Sequence, residues 1–153
     1  MGLLLEKSSG LTLLELLLTV AILAVISGVG FGYYHNYTKS VQLEASFKTM
    51  VSDLKNAQNR AMTGEDGLKW GVHFANGTDD YYELFSTASN YASGTVKSAV
   101  YLPAGIAFSD PVESGSEDII FNKINGTTTT ADITVTAYGQ SKTVNVSAVG
   151  SIY

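Results

Sequence analysis

The sequence predicts an α+β fold in which a long N-terminal helix packs on an antiparallel β-sheet domain. Three observations lead to this prediction. Residues 11–34 form an apolar run in which Glu15 is the only formally charged side chain. Apolar residues then recur at helical spacing as far as Ala61. After Leu68, short runs of alternating apolar residues are separated by polar turns, which is typical of strands.

Composition places the chain among folded proteins of about one domain. It has 153 residues, of which 45% are apolar and 15% are charged, as expected for a chain with a modest core. The net charge of −5 disfavours nucleic acid as a partner, because a phosphate backbone repels an acidic chain. The absence of cysteine excludes a disulfide framework, a thiol nucleophile and cysteine-ligated metals.

The apolar run is long enough to span a bilayer. From residue 11 to residue 31 a helix would be roughly 32 Å long at about 1.5 Å per residue, and the hydrocarbon core is about 30 Å thick. The run is apolar on every face, as a helix immersed in lipid should be. Three interpretations fit: a simple anchor, a secretory signal peptide removed after the apolar run, and a signal that is cut before it.

Glu15 favours the third interpretation. A carboxylate within a membrane helix costs on the order of 2.5–3.5 kcal/mol at the centre and less near the interface, and an ordinary anchor or signal peptide has no use for it. A filament subunit has a use, because the carboxylate can pair with the N-terminal ammonium of a neighbouring helix. That ammonium exists only if the chain is cut just upstream of Glu15.

The residues around this position resemble the cleavage and methylation motif of type IV prepilins. Lys7-Ser-Ser-Gly10 precedes Leu11-Thr12-Leu13-Leu14-Glu15-Leu16-Leu17, and the long apolar run follows. In that family a prepilin peptidase cuts after the glycine and methylates the new N terminus. The resemblance therefore implies cleavage between Gly10 and Leu11, N-methylation of Leu11, and a role in filament assembly for Leu11 and for Glu15, the fifth residue after the cut.

The same resemblance implies a division of the chain into parts. These are a prepilin leader (1–10), a transmembrane and filament-core helix (11–34), an amphipathic helix (35–64) and a β-rich globular pilin domain (65–153). The precursor would cross the bacterial inner membrane once with its C-terminal domain outside, and later join an extracellular or periplasmic filament. The implied partners are prepilin peptidase, other pilin or pseudopilin subunits, the inner-membrane assembly platform and, before assembly, the lipid bilayer.

The amphipathic helix is predicted from about Tyr37 to Thr63. Gly64 and Gly67 are expected to end it. Joined to the apolar run, it would form one helix of roughly 53 residues and about 80 Å if unbroken. Its inner face follows the spacing i, i+3, i+4, i+7 and consists of Phe47, Met50, Val51, Leu54, Ala57, Gln58 and Ala61.

Strands are predicted throughout the remaining sequence. The predicted ranges are 70–74, 81–85, 96–102, 106–108, 118–122, 132–137 and 142–146. The first two are expected to form a hairpin. The last two form the clearest pair, in which Ile133, Val135 and Ala137 share a side with Val144 and Val146. Only the amphipathic helix is available to cover a face of this sheet, which completes the α+β prediction.

Short motifs in the second half of the chain resemble the GspH/FimT class of minor pseudopilins. They are Leu54-Lys-Asn-Ala-Gln-Asn-Arg-Ala61, Val100-Tyr-Leu-Pro-Ala-Gly-Ile106, Ile119-Ile-Phe121 and Val144-Asn-Val-Ser-Ala-Val-Gly-Ser-Ile152. This resemblance implies a minor pilin or pseudopilin of a type IV pilus or a type II secretion-like filament. The alternative is a single-pass anchored ectodomain that acts as a binding module or an enzyme without polymerising.

Residues for chemistry are sparse. Neither H-E-x-x-H, nor G-x-S-x-G, nor a P-loop occurs, so the chain is expected to be no enzyme and to need no cofactor. A triad that includes His35 or His73 stays open, because triads are not local in sequence. The lysines at positions 69, 97, 123 and 142 are scattered singly, so that no basic patch for DNA is readable.

The second half of the chain contains two clusters of acidic residues. They consist of Asp79, Asp80 and Glu83, and of Asp110, Glu113, Glu117 and Asp118. Hard cations such as calcium take several oxygen ligands, but neither cluster has the spacing of an EF-hand. We interpret both clusters as solvated loops, and no metal site is predicted.

Overall fold

The structure, a computed structural model, describes residues 12–153, apart from the side chains of residues 29–36. Helix α1 (Leu13–Thr63) has 51 residues. It begins after Thr12, whose hydroxyl accepts a hydrogen bond of 3.2 Å from the backbone N–H of Glu15 and thereby satisfies a free donor of the first turn. Gly64 follows the helix with a φ of 69°, which glycine adopts without steric cost. The predicted stop at Gly64 is confirmed.

The chain divides into two compact units. The first extends to Thr38 and, among the described residues, consists of the N-terminal half of α1. The second, Lys39–Tyr153, contains the rest of α1 and the strands. Within residues 12–153 no helix is both long and apolar enough to cross a membrane. The predicted division of the chain into a leader, a membrane helix, an amphipathic helix and a globular domain is not tested by these two units and stays a prediction.

In the described part of the chain, seven strands form two antiparallel sheets. The order is β3-β2-β1-β5 in the four-stranded sheet and β4-β6-β7 in the three-stranded sheet. The bounds are β1 (Lys69–Ala75), β2 (Tyr81–Thr87), β3 (Thr95–Tyr101), β4 (Ala107–Asp110), β5 (Ser116–Phe121), β6 (Ala131–Ala137) and β7 (Gln140–Val146). The α+β prediction is confirmed, and each predicted strand is present. The prediction of one sheet is wrong, because β4 pairs with β6 rather than with its neighbour β3.

One hydrophobic core joins α1 to both sheets. The ring of Phe74 lies 5.8 Å from the rings of Tyr82 in β2 and Phe108 in β4, and so bridges the two sheets. The predicted inward residues of the last hairpin are all buried. Among the side chains of α1 that the structure describes, those of Leu43, Met50, Leu54, Ala57 and Ala61 are buried.

The inner face of α1 differs from the prediction in two respects. Leu43, one turn further toward the N terminus than predicted, is only 1% exposed. Gln58 does not pack as an apolar residue, because its Nε2 donates hydrogen bonds of 2.6 Å to the Gly150 carbonyl and 3.4 Å to the Gly126 carbonyl. It therefore ties two loops to the helix.

The outer face of the four-stranded sheet is covered by the connection between β2 and β3. Phe85 is fully buried there, with the Tyr91 ring edge-on at 5.0 Å. A Cβ at Gly71 would lie 2.7 Å from the Ile119 carbonyl oxygen and 2.9 Å from the Phe85 ring. Only glycine leaves room for this aromatic ring against the strand.

Candidate functional site

The predicted processing site lies at the N terminus. Gly10 and Leu11 are outside the described residues, so the cleavage and methylation assignments stay predictions. Glu15 is described and lies exposed in the first turn of α1, where a carboxylate is favoured by the helix dipole. Thr12 caps this turn, a role that our sequence reading missed. The spacing T-x-x-E of a capping box could have revealed it.

Residues 13–28 of α1 present apolar side chains on all faces of the helix. Each side chain from Thr12 to Gly28 is exposed, and for Leu13, Leu14 and Leu23 the exposed fractions are 77%, 75% and 62%. Burying one such side chain fully is worth about 1.5–3 kcal/mol. A contiguous apolar surface of this kind marks a site of interaction with protein or membrane.

A second group of functional side chains lies on the outer face of the four-stranded sheet. His73 Nδ1 is 2.5 Å from Asp118 Oδ1, and the imidazole stacks on Tyr91 with ring centroids 3.7 Å apart. The Tyr91 hydroxyl donates a 2.5 Å hydrogen bond to Glu83, which raises the pKa of the Tyr91 phenol. The four side chains hold the β2–β3 connection against the sheet.

This outer-face group offers a carboxylate–imidazole pair, two of the three members of a hydrolytic triad. The Ser93 hydroxyl in the covering connection is hydrogen-bonded to Asn90 and to Thr87 rather than to His73. His73 itself is 8% exposed and lies under Tyr91. The observed contacts of His73, Asp118, Tyr91 and Glu83 attach the β2–β3 connection to the sheet.

The carboxylates of the two acidic clusters make separate hydrogen bonds in different parts of the domain. Asp118 pairs with His73 and Glu83 with Tyr91. Asp80 accepts hydrogen bonds from the backbone N–H groups of Gly77 at 3.0 Å and Phe108 at 2.8 Å. In the part of the chain that the structure describes, no three or more His, Asp or Glu side chains are placed to hold a metal ion.

Glu117 is expected to destabilise the fold slightly at neutral pH. Partial burial, together with the nearby carboxylates of Asp110 and Asp118, raises its pKa. The folded state therefore binds this proton more readily than the unfolded state does, and the penalty is present above the raised pKa and vanishes below the ordinary value. Glu117→Gln should increase the free energy of unfolding at pH 7 by less than about 1 kcal/mol, because solvent screens the group.

The measurement is urea unfolding of the unsubstituted protein and of Glu117→Gln at pH 7 and at pH 3.5. Unfolding is followed by the fluorescence of Trp70, the only tryptophan. The gain should disappear at the lower pH. Glu113→Gln, at an exposed carboxylate in the same region, is the control. A gain from Glu117→Gln that is unchanged at pH 3.5 would show that charge is not its cause.

Comparison with known proteins bears on the N-terminal site. Neither a search of curated proteins nor a search of solved structures found a match, and the finer resemblance to the GspH/FimT class is not supported. Among protein families, the prokaryotic N-terminal methylation motif matches residues 6–31. This range includes the predicted cut at Gly10 and the carboxylate of Glu15. The chain thus carries a prokaryotic N-terminal methylation motif, a type IV prepilin-like signal.

Proposed function

We propose that the chain is a structural subunit, a minor pilin or pseudopilin, of a type IV pilus or type II secretion-like filament. The observation that carries this proposal is the methylation motif at residues 6–31. Supporting it, the part of α1 that lies within this motif, residues 13–28, exposes apolar side chains on all faces and has Glu15 in its first turn. The proposed activity is assembly, and the chain is proposed to act without catalysis or cofactor.

Cleavage of the leader creates the N-terminal amine that pairs with Glu15 of a neighbouring subunit during assembly. Prepilin peptidase cuts the bond between Gly10 and Leu11 and methylates the new amine. The apolar segment holds the subunit in the inner membrane until the assembly platform extracts it. In the filament, residues 11–31 exchange lipid for the helices of neighbouring subunits. This exchange keeps the apolar surface out of water throughout.

Glu15 selects the register of the assembled helices. The Thr12 hydroxyl already satisfies the Glu15 N–H, so the cap does not depend on the Glu15 carboxylate. Among apolar helices the carboxylate is costly unless it is paired. The N-terminal ammonium of the neighbouring subunit removes this cost in only one axial register, and so specifies how the helices stack.

Glu15→Ala and Glu15→Gln are expected to be processed normally but to enter filaments poorly. Loss of a charge pair in an apolar site costs about 3–5 kcal/mol, so incorporation should fall by more than about tenfold. The variants are expressed in cells that contain prepilin peptidase and a filament machine. Cleavage is read from the intact mass, and incorporation from the sheared filament fraction. Thr19→Ala is the control, since Thr19 is exposed one turn further along and bonds only within α1 at 2.9 Å.

Normal assembly of both Glu15 variants would overturn the register mechanism. A different result would overturn the proposed function itself. If the unsubstituted chain stays in the membrane fraction and never enters filaments in any host that processes it, the anchored ectodomain that does not polymerise becomes the better account. The outer-face group around His73 would then be the first place to look for its activity.

A further inference from the structure

The four-stranded sheet has two ends of different charge. Its strands are antiparallel, and Lys69 lies opposite Thr87 at one end of β1, whereas Ala75 lies opposite Tyr81 at the other end. The two ends are roughly 20 Å apart at about 3.3 Å per residue. Cations gather at the Lys69 end and carboxylates at the Ala75 end.

The basic end consists of Arg60, Lys69, Lys97 and Lys123. The guanidinium of Arg60 lies 4.7 Å from the centre of the Trp70 ring and the Lys97 ammonium 5.7 Å from it. Lys123 donates to the Gly67 carbonyl at 3.3 Å. Three of these lysines, which are scattered in sequence, therefore lie at one end of the sheet, because strand pairing brings distant positions together. Lys142 lies apart and pairs with Glu44.

Carboxylates offset only part of the charge at the basic end. Glu65 pairs with Arg60 at 2.9 Å, and Asp66 pairs with Lys97 at 3.6 Å. Lys123 is exposed and makes its hydrogen bond to a backbone carbonyl. It is the cation of this end that is best placed to meet a carboxylate of another molecule.

The acidic end carries Asp79, Asp80, Asp110, Glu113 and Glu117. Two adjoining cavities of about 580 and 590 Å³ open there, and both are lined by Asn76–Asp79 and Tyr101. None of the residues that line them is a lysine, an arginine or a histidine. Burial, together with the nearby carboxylates of Asp110 and Asp118, raises the pKa of Glu117, as expected where carboxylates lie close together.

Buried side chains hold the loops of the acidic end in place. Asn76, which is 8% exposed, donates to the carbonyls of Phe108 at 3.0 Å and Pro111 at 2.7 Å. Asp80 accepts hydrogen bonds from the backbone N–H groups of Gly77 and Phe108, which both line the first cavity. These bonds fix the walls while Asp79 and Glu113 stay exposed. A cavity that is rigid before binding loses little entropy when it is filled.

The basic end presents an apolar side chain beside its exposed cation. Ile124 is 72% exposed and has a φ of 74°, an unfavourable conformation for a β-branched residue. Its backbone N–H donates to the Ala61 carbonyl at 3.0 Å, which ties this corner to α1. The acidic end offers the matching surface, because Leu102 and Pro103 line its cavity next to the carboxylates.

We propose that the acidic end of one copy binds the basic end of a second copy, with Lys123 and Ile124 of the second copy seated in the cavity between Asp79 and Glu113. Charge complementarity selects this orientation. The contact joins two different surfaces, so it leaves one end free on each copy for the addition of a further copy. The inference rests on the proposed function, because it supplies a contact between globular domains along the filament.

A second copy fits these surfaces better than a nucleic acid does. A phosphate backbone would bind only the basic end and would leave the acidic end without a role. It would also meet Glu65 and Asp66 beside the cations, on a chain with a net charge of −5. In a contact between two copies, the acidic end of one copy meets the basic end of the other, so that both kinds of surface have a role.

Cysteine cross-linking tests this contact, because the chain has no native cysteine. Thr78→Cys and Asn125→Cys place one thiol at each end, on exposed residues. Full-length chains with tags of different size are co-expressed with prepilin peptidase and oxidised in the membrane. We expect a mixed dimer between the two single variants and a ladder of oligomers from the double variant. Thr78→Cys with Ser141→Cys, an exposed position on β7, is the control pair and should cross-link at least about tenfold less.

Charge reversal separates a specific contact from random collision. Asp79→Lys with Glu113→Lys should lower the mixed cross-link by more than about tenfold, because like charges then face each other. Lys97→Glu with Lys123→Glu in the second copy should restore it. The fluorescence of Trp70 confirms that each variant is folded. Equal cross-linking by the control pair, or no effect of charge reversal in folded chains, would overturn the head-to-tail contact.

Leader cleavage and DNA binding are also measured, so that failure of the head-to-tail contact can be distinguished from failure of the proposed function. A chain cleaved after Gly10 that forms no ladder overturns only the head-to-tail contact. A chain that stays uncleaved in the presence of active peptidase overturns the proposed function, whatever its cross-links. Binding of a DNA duplex that is lost in Lys123→Glu, without any mixed cross-link, would assign the basic end to nucleic acid and also overturn the contact.

Discussion

Phe74→Ala is expected to lower the free energy of unfolding of residues 39–153 by about 3–5 kcal/mol. Phe74 is fully buried, and its ring contacts Tyr82 in one sheet and Phe108 in the other. Alanine would leave a cavity at the junction of the two sheets, and the buried bonds of Asn76 hold the neighbouring β4 in place. The loss is a large share of the 5–15 kcal/mol that is typical of a domain.

The measurement is urea unfolding of the full chain in detergent, followed by Trp70 fluorescence. Phe74→Leu should cost clearly less than Phe74→Ala, because it keeps most of the buried volume. Val149→Ala, at a side chain that is 72% exposed, should change the free energy by less than about 0.5 kcal/mol. A loss below 1 kcal/mol for Phe74→Ala would mean that the two sheets do not depend on this ring.

Gly10→Val is expected to abolish cleavage of the leader. The resemblance to prepilins places Gly10 immediately before the cut, where the peptidase must accommodate the residue in its active site. A branched side chain fills space that glycine leaves empty, and a misplacement of about 1 Å at the reacting bond can cost about a hundredfold in rate. The chain should therefore keep residues 1–10.

Cleavage is measured as the intact mass of the protein after co-expression with prepilin peptidase. Gly2→Ala, a substitution of glycine elsewhere in the leader, is the matched control and should be processed like the unsubstituted chain. Normal processing of Gly10→Val would show that the cut lies elsewhere or that no prepilin peptidase acts on this chain.

Local pattern predicted the elements of the fold because the forces that define them are local. Strand β1 follows from the alternation of Trp70, Val72 and Phe74, which all point into the core. The last hairpin follows in the same way, although its turn is tighter than predicted. Tyr138 and Gly139, with φ angles of 54° and 79°, connect strands that were predicted to be four residues apart. The stop of α1 follows from the left-handed conformation that Gly64 allows.

The division into two sheets could not be predicted, since it depends on contacts between distant residues. The Phe108 N–H donates to Asp80, 28 positions away in sequence. Asn76 holds the same segment from the other side, 32 and 35 positions away. These bonds attach β4 to the loop that follows β1, and β4 pairs with β6 rather than with β3. No spacing in the sequence indicates them.

Only one of the candidate sites could be predicted from the sequence, because the others are formed by residues that are distant in sequence. Glu15 could be identified from sequence because a carboxylate in an apolar helix is conspicuous by its cost. The group of His73 and Asp118 could not, because the two residues are 45 positions apart and meet only through the pairing of β1 with β5. The basic end was missed for the same reason. Its cations come from α1, β1, β3 and the loop after β5.

The most direct test of the central claim is the N terminus of the mature chain. The protein is expressed with prepilin peptidase, and its intact mass and N-terminal peptide are determined. Processing by prepilin peptidase predicts a chain that begins at N-methylated Leu11. A chain that retains Met1, or that is cut between Ser27 and Gly32, would contradict it and would identify the apolar segment as a simple anchor or a secretory signal.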